Sequence, residues 1–235
     1  MHSIESAAAA RRMPGKVLAW LVLVAALALL AYAGRLGDAD VPDDLAYRYV
    51  SSIAALLQYA IIFVILLVVA RGLPAREAFG LRRPASWPRA VGLAALCLLA
   101  IYLAAAVYQG ALSLVGDWDP TEEQGLVPNE WDPSRAGAFV AFFLVVTFVA
   151  PAVEELTYRG LGLSLLLPYG TVGAILLTGL LFGAAHGLLV AFPILAFFGL
   201  VVGWLRVRTD SVYPPVILHS AFNGTALIVS VTVAG

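Results

Sequence analysis

Charge is what this chain has least of. Of its 235 residues, 14 are Lys or Arg and 15 are Asp or Glu, only 12% in all, where a soluble domain carries about 25%. That scarcity excludes a surface wetted on every side. With 62% hydrophobic residues and a mean hydropathy of +0.93, the solvent for most of the chain is lipid. A net charge of −1 excludes a nucleic-acid partner. The single cysteine, Cys97, excludes an intrachain disulfide, and in its apolar run it reads as a small buried hydrophobe. Repeats and long linkers are also missing, so the sequence describes one membrane unit behind a short tail.

What remains is an all-α pattern of about seven apolar segments. Residues 1–16 form a tail carrying Arg11, Arg12 and Lys16 ahead of the first apolar run, residues 17–33. That run reads as a retained helix or as a signal peptide ending at Ala31-Tyr32-Ala33; its apolar core is longer than the usual signal core, which favours the helix. A second span covers 53–70, and residues 71–89 then carry five arginines and one glutamate. The third span covers 90–115. Residues 116–135 follow with six acidic residues and one arginine. A fourth helix starts near residue 136. Residues 160–205 contain no charged side chain, too long a stretch for one span, and turns are expected at 168–170 and in 187–193. The expectation is a fifth helix over 171–190, a short sixth ending at Arg206 and Arg208, and a seventh over 212–234. All three arginine-rich segments then fall on one side, which places the N-terminus in the cytoplasm. The compact, Ala-rich chain fits a bacterial plasma-membrane protein.

Against this background the segment Val153-Glu154-Glu155-Leu156-Thr157-Tyr158-Arg159 stands out. An ionisable group at such depth costs about 2.5 to 3.5 kcal/mol on insertion scales, and groups kept at that cost mark function. In a helix Glu155 and Arg159 are i,i+4 neighbours and can pair, while Glu154 lies about 100° away round the axis. Two more polar breaks follow: His186 in helix five, and His219 with Asn223, spaced i,i+4 on one face of helix seven. Counted from the same membrane face, Glu154 and His186 lie at depths of about 20 Å and about 23 Å, so they can be neighbours. Gly183, Gly187 and the glycines of 162–173 offer close helix approach. His219 and Asn223 lie about 11 Å and about 17 Å from the same membrane face, at or below the Glu154 and His186 pair. A structural ion cluster would account for Glu154, Glu155 and Arg159 alone; two histidines, an asparagine and a spare glutamate together point to chemistry.

The ordered set Glu154-Glu155-x-x-x-Arg159, Phe182-x-x-x-His186 and His219-x-x-x-Asn223 resembles the CPBP family, the CAAX protease and bacteriocin-processing intramembrane proteases, also called the ABI family. The eukaryotic CAAX prenyl endopeptidases belong to the same superfamily. The likeness covers about 136–234, which marks 136–235 as a catalytic membrane core and 17–135 as N-terminal helices and loops. It implies peptide-bond hydrolysis in the membrane, with Glu154 as the catalytic glutamate, Glu155 and Arg159 as its supporting pair, His186 as the second catalytic residue, and His219 and Asn223 at the remaining polar positions. The implied partners are membrane lipids and a peptide or protein substrate, prenylated or bacteriocin-like.

Two chemistries fit these residues. In one, Glu154 and His186 activate a water directly and His219 and Asn223 donate to the developing oxyanion. In the other, zinc held by His186, His219 and Glu154 acidifies the water, as the family's usual metalloprotease label has it. The chain lacks an H-E-x-x-H helix and asparagine is a poor zinc ligand, which favours the version with no cofactor. Two non-protease readings are a bacteriocin self-immunity or scaffold protein that keeps the motif as glue, and a proton-coupled transporter, which tends to show internal repeats that are missing here.

Overall fold

In the computed structural model the described residues are 13–35, 44–116, 128 and 130–233. The basic tail up to residue 12, Asp38, Asp40 and Asp43, and most of the acidic stretch 116–135 lie outside them.

With no water in the bilayer core to satisfy backbone groups, apolar runs close their hydrogen bonds internally as helices. Among the described residues seven do so: α1 (Pro14–Arg35), α2 (Tyr49–Ala70), α3 (Trp87–Ser113), α4 (Pro133–Tyr169), α5 (Thr171–Ala184), α6 (Phe192–Thr209) and α7 (Tyr213–Val233). Six are long and apolar enough to cross a membrane, and α5 is the shorter one. Leu18, Leu29, Val50, Ile61, Val68, Leu96 and Val107 are more than half exposed, a surface suited to lipid tails. The protein is an integral membrane helix bundle.

Two expectations are corrected. The short helix is the fifth, not the sixth: α5 stops at Ala184 instead of running to residue 190, whereas α6 has 18 residues. At 1.5 Å per residue α5 spans about 21 Å and ends part-way through the bilayer. The cause is local. Gly187 adopts φ +65, and a Cβ there would meet the backbone of Ala31 in α1, so the chain turns just where α1 crosses it.

Prolines shape the ends and one interior. Pro88 and Pro193 sit in the first turns of α3 and α6, where a missing N–H is harmless; Ser86 caps α3 by accepting from the Arg89 amide. Pro151, by contrast, lies inside α4, and the preceding turn widens into a π-helix over Val145–Val149. A second π turn follows at Leu156–Gly162. Trp20 of α1 is fully buried, and its Nε1 donates to the Thr157 carbonyl in that turn at 2.9 Å. A Cβ on Gly162 would overlap the Trp20 indole.

α5 and α6 form an antiparallel hairpin held at backbone distance by glycines. A Cβ on Gly199 would lie 2.6 Å from the Gly179 carbonyl oxygen, and one on Gly183 would lie 2.9 Å from the Ala196 amide. Gly173, expected to serve the same purpose, has nothing within 4 Å of where its Cβ would be. Gly199→Ala is therefore expected to destabilise by about 1 to 3 kcal/mol, the usual cost of overpacking. Gly173→Ala should leave the melting temperature unchanged or slightly raised. Thermal unfolding of both variants in one detergent checks the contrast.

At one end of the bundle a polar clasp ties the segment before α2 to the start of α4. Arg135 pairs with Asp44 at 2.8 Å and with Asp132 at 2.5 Å, and its guanidinium lies 5.0 Å from the Tyr47 ring centroid. The hydrogen bond from Ser134, followed by that from Arg135, holds Asp132 down at about 2. Tyr47 stacks on Phe139, which fixes where α4 enters.

Candidate active site

The α4 segment Ala150–Glu155 places its two carboxylates in different environments. Glu155 is wholly buried. Its Oε1 accepts from Arg159 Nη1 at 2.8 Å and lies 2.9 Å from His219 Nδ1 of α7. Arg159, equally buried, also donates from Nη2 to the Gly199 carbonyl at 3.0 Å and stacks over the Phe182 ring at 4.4 Å. The close α5–α6 packing makes this reach possible, because Gly199 brings backbone where a side chain would otherwise stand. Glu155 Oε2 and Arg159 Nε find no hydrogen-bond partner among the described residues. The pair therefore joins α4, α6 and α7, with little slack for losing either member.

Glu154, one residue earlier, is 19% exposed and turned toward open space. It lines a cavity of about 530 Å³ together with His186, His219, Asn223 and the apolar walls Phe182, Phe198 and Phe222. Its Oε2 lies 3.8 Å from His219 Nε2. Its Oε1 accepts a 2.6 Å hydrogen bond from the hydroxyl of Tyr59 in α2.

His186 lies beyond the end of α5, in the turn 185–187, and not within the helix as the spacing suggested. Its Nδ1 is 2.8 Å from the Phe182 carbonyl. A carbonyl only accepts, so Nδ1 carries the hydrogen, and in the neutral ring Nε2 keeps its lone pair. His219 is held edge-on by Phe182 and Phe198 at centroid distances of 5.6 and 4.8 Å. Glu155 fixes its Nδ1, which directs Nε2 toward Glu154.

Asn223 makes a contact whose cause lies in α4. The Ala150 amide bonds to Val145 in the widened turn, and the next donor along, residue 151, is a proline with no N–H. The Val146 carbonyl is thus left without a backbone donor, and Asn223 Nδ2 supplies one at 2.9 Å. One amide hydrogen of Asn223 is committed to α4, and the second is available on the cavity side.

All six residues singled out by sequence converge here. Four line the cavity, Glu154, His186, His219 and Asn223, while Glu155 and Arg159 sit behind it. Sequence reasoning missed the contributions of the earlier helices. Tyr59 reaches Glu154; Tyr108 of α3 lines the cavity and donates to the Val190 carbonyl at 2.6 Å, pinning the segment between His186 and α6. The available signal was the polar Gln58-Tyr59 pair inside an otherwise apolar run. Among the described residues no three His, Cys, Asp or Glu side chains come together as a metal site.

Comparison with known proteins adds one finding. Residues 136–225 match the family described as type II CAAX prenyl endopeptidase Rce1-like. No curated protein and no solved structure matches the chain. The matched segment contains Glu154, Glu155, Arg159, His186, His219 and Asn223, and excludes Trp20, Tyr59 and Tyr108. Over residues 136–225, this membrane helix bundle is thus similar to the Rce1-like family of CAAX prenyl endopeptidases.

Proposed function

We propose that the protein is an intramembrane endopeptidase that cleaves a lipidated, CAAX-like C-terminal peptide with a water activated by Glu154 and His186. One observation carries the reading: of two adjacent carboxylates, one is fully buried in an ion pair and the other opens into a cavity shared with His186, His219 and Asn223. That is the division a general base and its support require.

In this mechanism the water binds between Glu154 and His186 Nε2. Glu154 takes its proton as the oxygen adds to the scissile carbonyl carbon, and later returns that proton to the leaving amine. His219 Nε2, on the cavity side of a ring that Glu155 fixes from behind, and the second amide hydrogen of Asn223 beside it serve as the donors to the oxyanion. The apolar cavity wall suits a lipid-modified substrate, and a space of about 530 Å³ falls in the range of small-molecule sites. What supports the metal-free version is the donor set: Asn223 suits donation better than ligation, and among the described residues no three His, Cys, Asp or Glu side chains come together.

The test is an assay of purified protein in lipid bilayers with farnesylated peptides ending in a CAAX sequence and their unlipidated counterparts, with zinc measured on the same samples. The expected result is release of the terminal tripeptide by wild type without stoichiometric zinc. His219→Ala should lower turnover by about 2.7 to 4 kcal/mol, the usual worth of one oxyanion donor, with no change in metal content. One zinc per chain, lost together with activity in His219→Ala, would contradict the metal-free mechanism.

A further inference from the structure

A second cavity, of about 470 Å³, lies on the other side of the site. It is lined by Leu27, Leu30 and Ala31 of α1 and by Gln58, Tyr59 and Ile62 of α2. It shares only Tyr59, Glu154 and His186 with the first cavity. Tyr59 thus stands at the boundary between the two, with its hydroxyl 2.6 Å from Glu154 Oε1.

A carboxylate on a helix turns about its terminal bond, and either oxygen can then face the substrate. Here the two oxygens are already distinguished: Oε1 is held by Tyr59, and Oε2 faces His219 Nε2 at 3.8 Å. We propose that Tyr59 is a positioning residue that holds Glu154 Oε1 and so presents Oε2 alone to the water. Resting on the hydrolase reading above, this makes Oε2 the atom that takes the proton from water and returns it to the leaving amine, while Oε1 stays bonded to the tyrosine throughout. Tyr59 lies outside the family segment, so α2 completes a site that the matched residues do not complete by themselves.

The variant is Tyr59→Phe, which keeps the ring at the cavity boundary and removes only the hydroxyl. It should be compared with wild type in the same bilayers and on the same farnesylated peptide, following kcat, KM and thermal unfolding. The expected result is a loss of about tenfold to a hundredfold in kcat, the worth of one hydrogen bond to a charged group, with KM within about twofold and the melting temperature unchanged. Unaltered kcat overturns the proposal, as does a loss confined to KM or one that tracks a lower melting temperature. A wild type that cleaves nothing removes the hydrolase reading and this role with it; an active wild type with an equally active Tyr59→Phe removes the role alone.

Discussion

Glu154→Gln is expected to lower kcat by about 10²- to 10⁴-fold while leaving the protein folded and inserted. Glutamine keeps the shape of the side chain and can still accept from Tyr59, but it cannot take a proton from water. The site loses little else, since Glu154 is partly exposed and, among the described residues, its side-chain hydrogen bond is the one from Tyr59. Steady-state kinetics on purified protein, with thermal unfolding of the same samples, checks both halves. Activity within tenfold of wild type in a folded variant would remove Glu154 from the role of base.

The neighbouring substitution should behave in the opposite order. Glu155→Gln leaves Arg159 buried without its carboxylate and should destabilise by about 3 to 5 kcal/mol, the range for breaking a buried pair by removing one partner. Arg159 keeps the Gly199 carbonyl but no balancing charge, and it shares with His219 a neutral amide oxygen in place of the carboxylate that fixed both. Activity should fall as well, through a loosened His219, but the first sign is a lower melting temperature. Equal activity loss in the two glutamine variants with identical melting would erase the distinction between base and support.

The candidate site was legible in the sequence because charge in lipid is costly enough to be rare, so the few polar residues left in apolar runs were the informative ones. The Glu155–Arg159 pair followed from i,i+4 spacing, and it survives although a π turn begins at Leu156, because the two residues remain on one side of α4. His186 was found by residue type but misplaced in structure. A helical reading carried α5 through Gly187, whose left-handed backbone is set by the approach of α1, a partner more than 150 residues earlier that no local pattern reveals. Pro151 was a local signal for the widened turn in α4, whereas the need for Asn223 to serve the Val146 carbonyl emerges only once α7 is packed against it. Tyr59 was hidden for the same reason, since its partner lies 95 positions along the chain. The order of the apolar helices was readable from hydropathy; which of them stops short was not.

The central claim is that this cavity cleaves a membrane peptide with Glu154 as its base. Substrate trapping tests it most directly: cells carrying wild type or Glu154→Gln are compared by quantitative mass spectrometry of membrane peptides and of whatever co-purifies with each protein. The expected result is an intact membrane peptide or protein that accumulates with, and binds to, the Glu154→Gln variant, and that appears shortened at its C-terminus with wild type. Identical sets of intact and shortened species in both, with the variant folded and inserted, would contradict the claim.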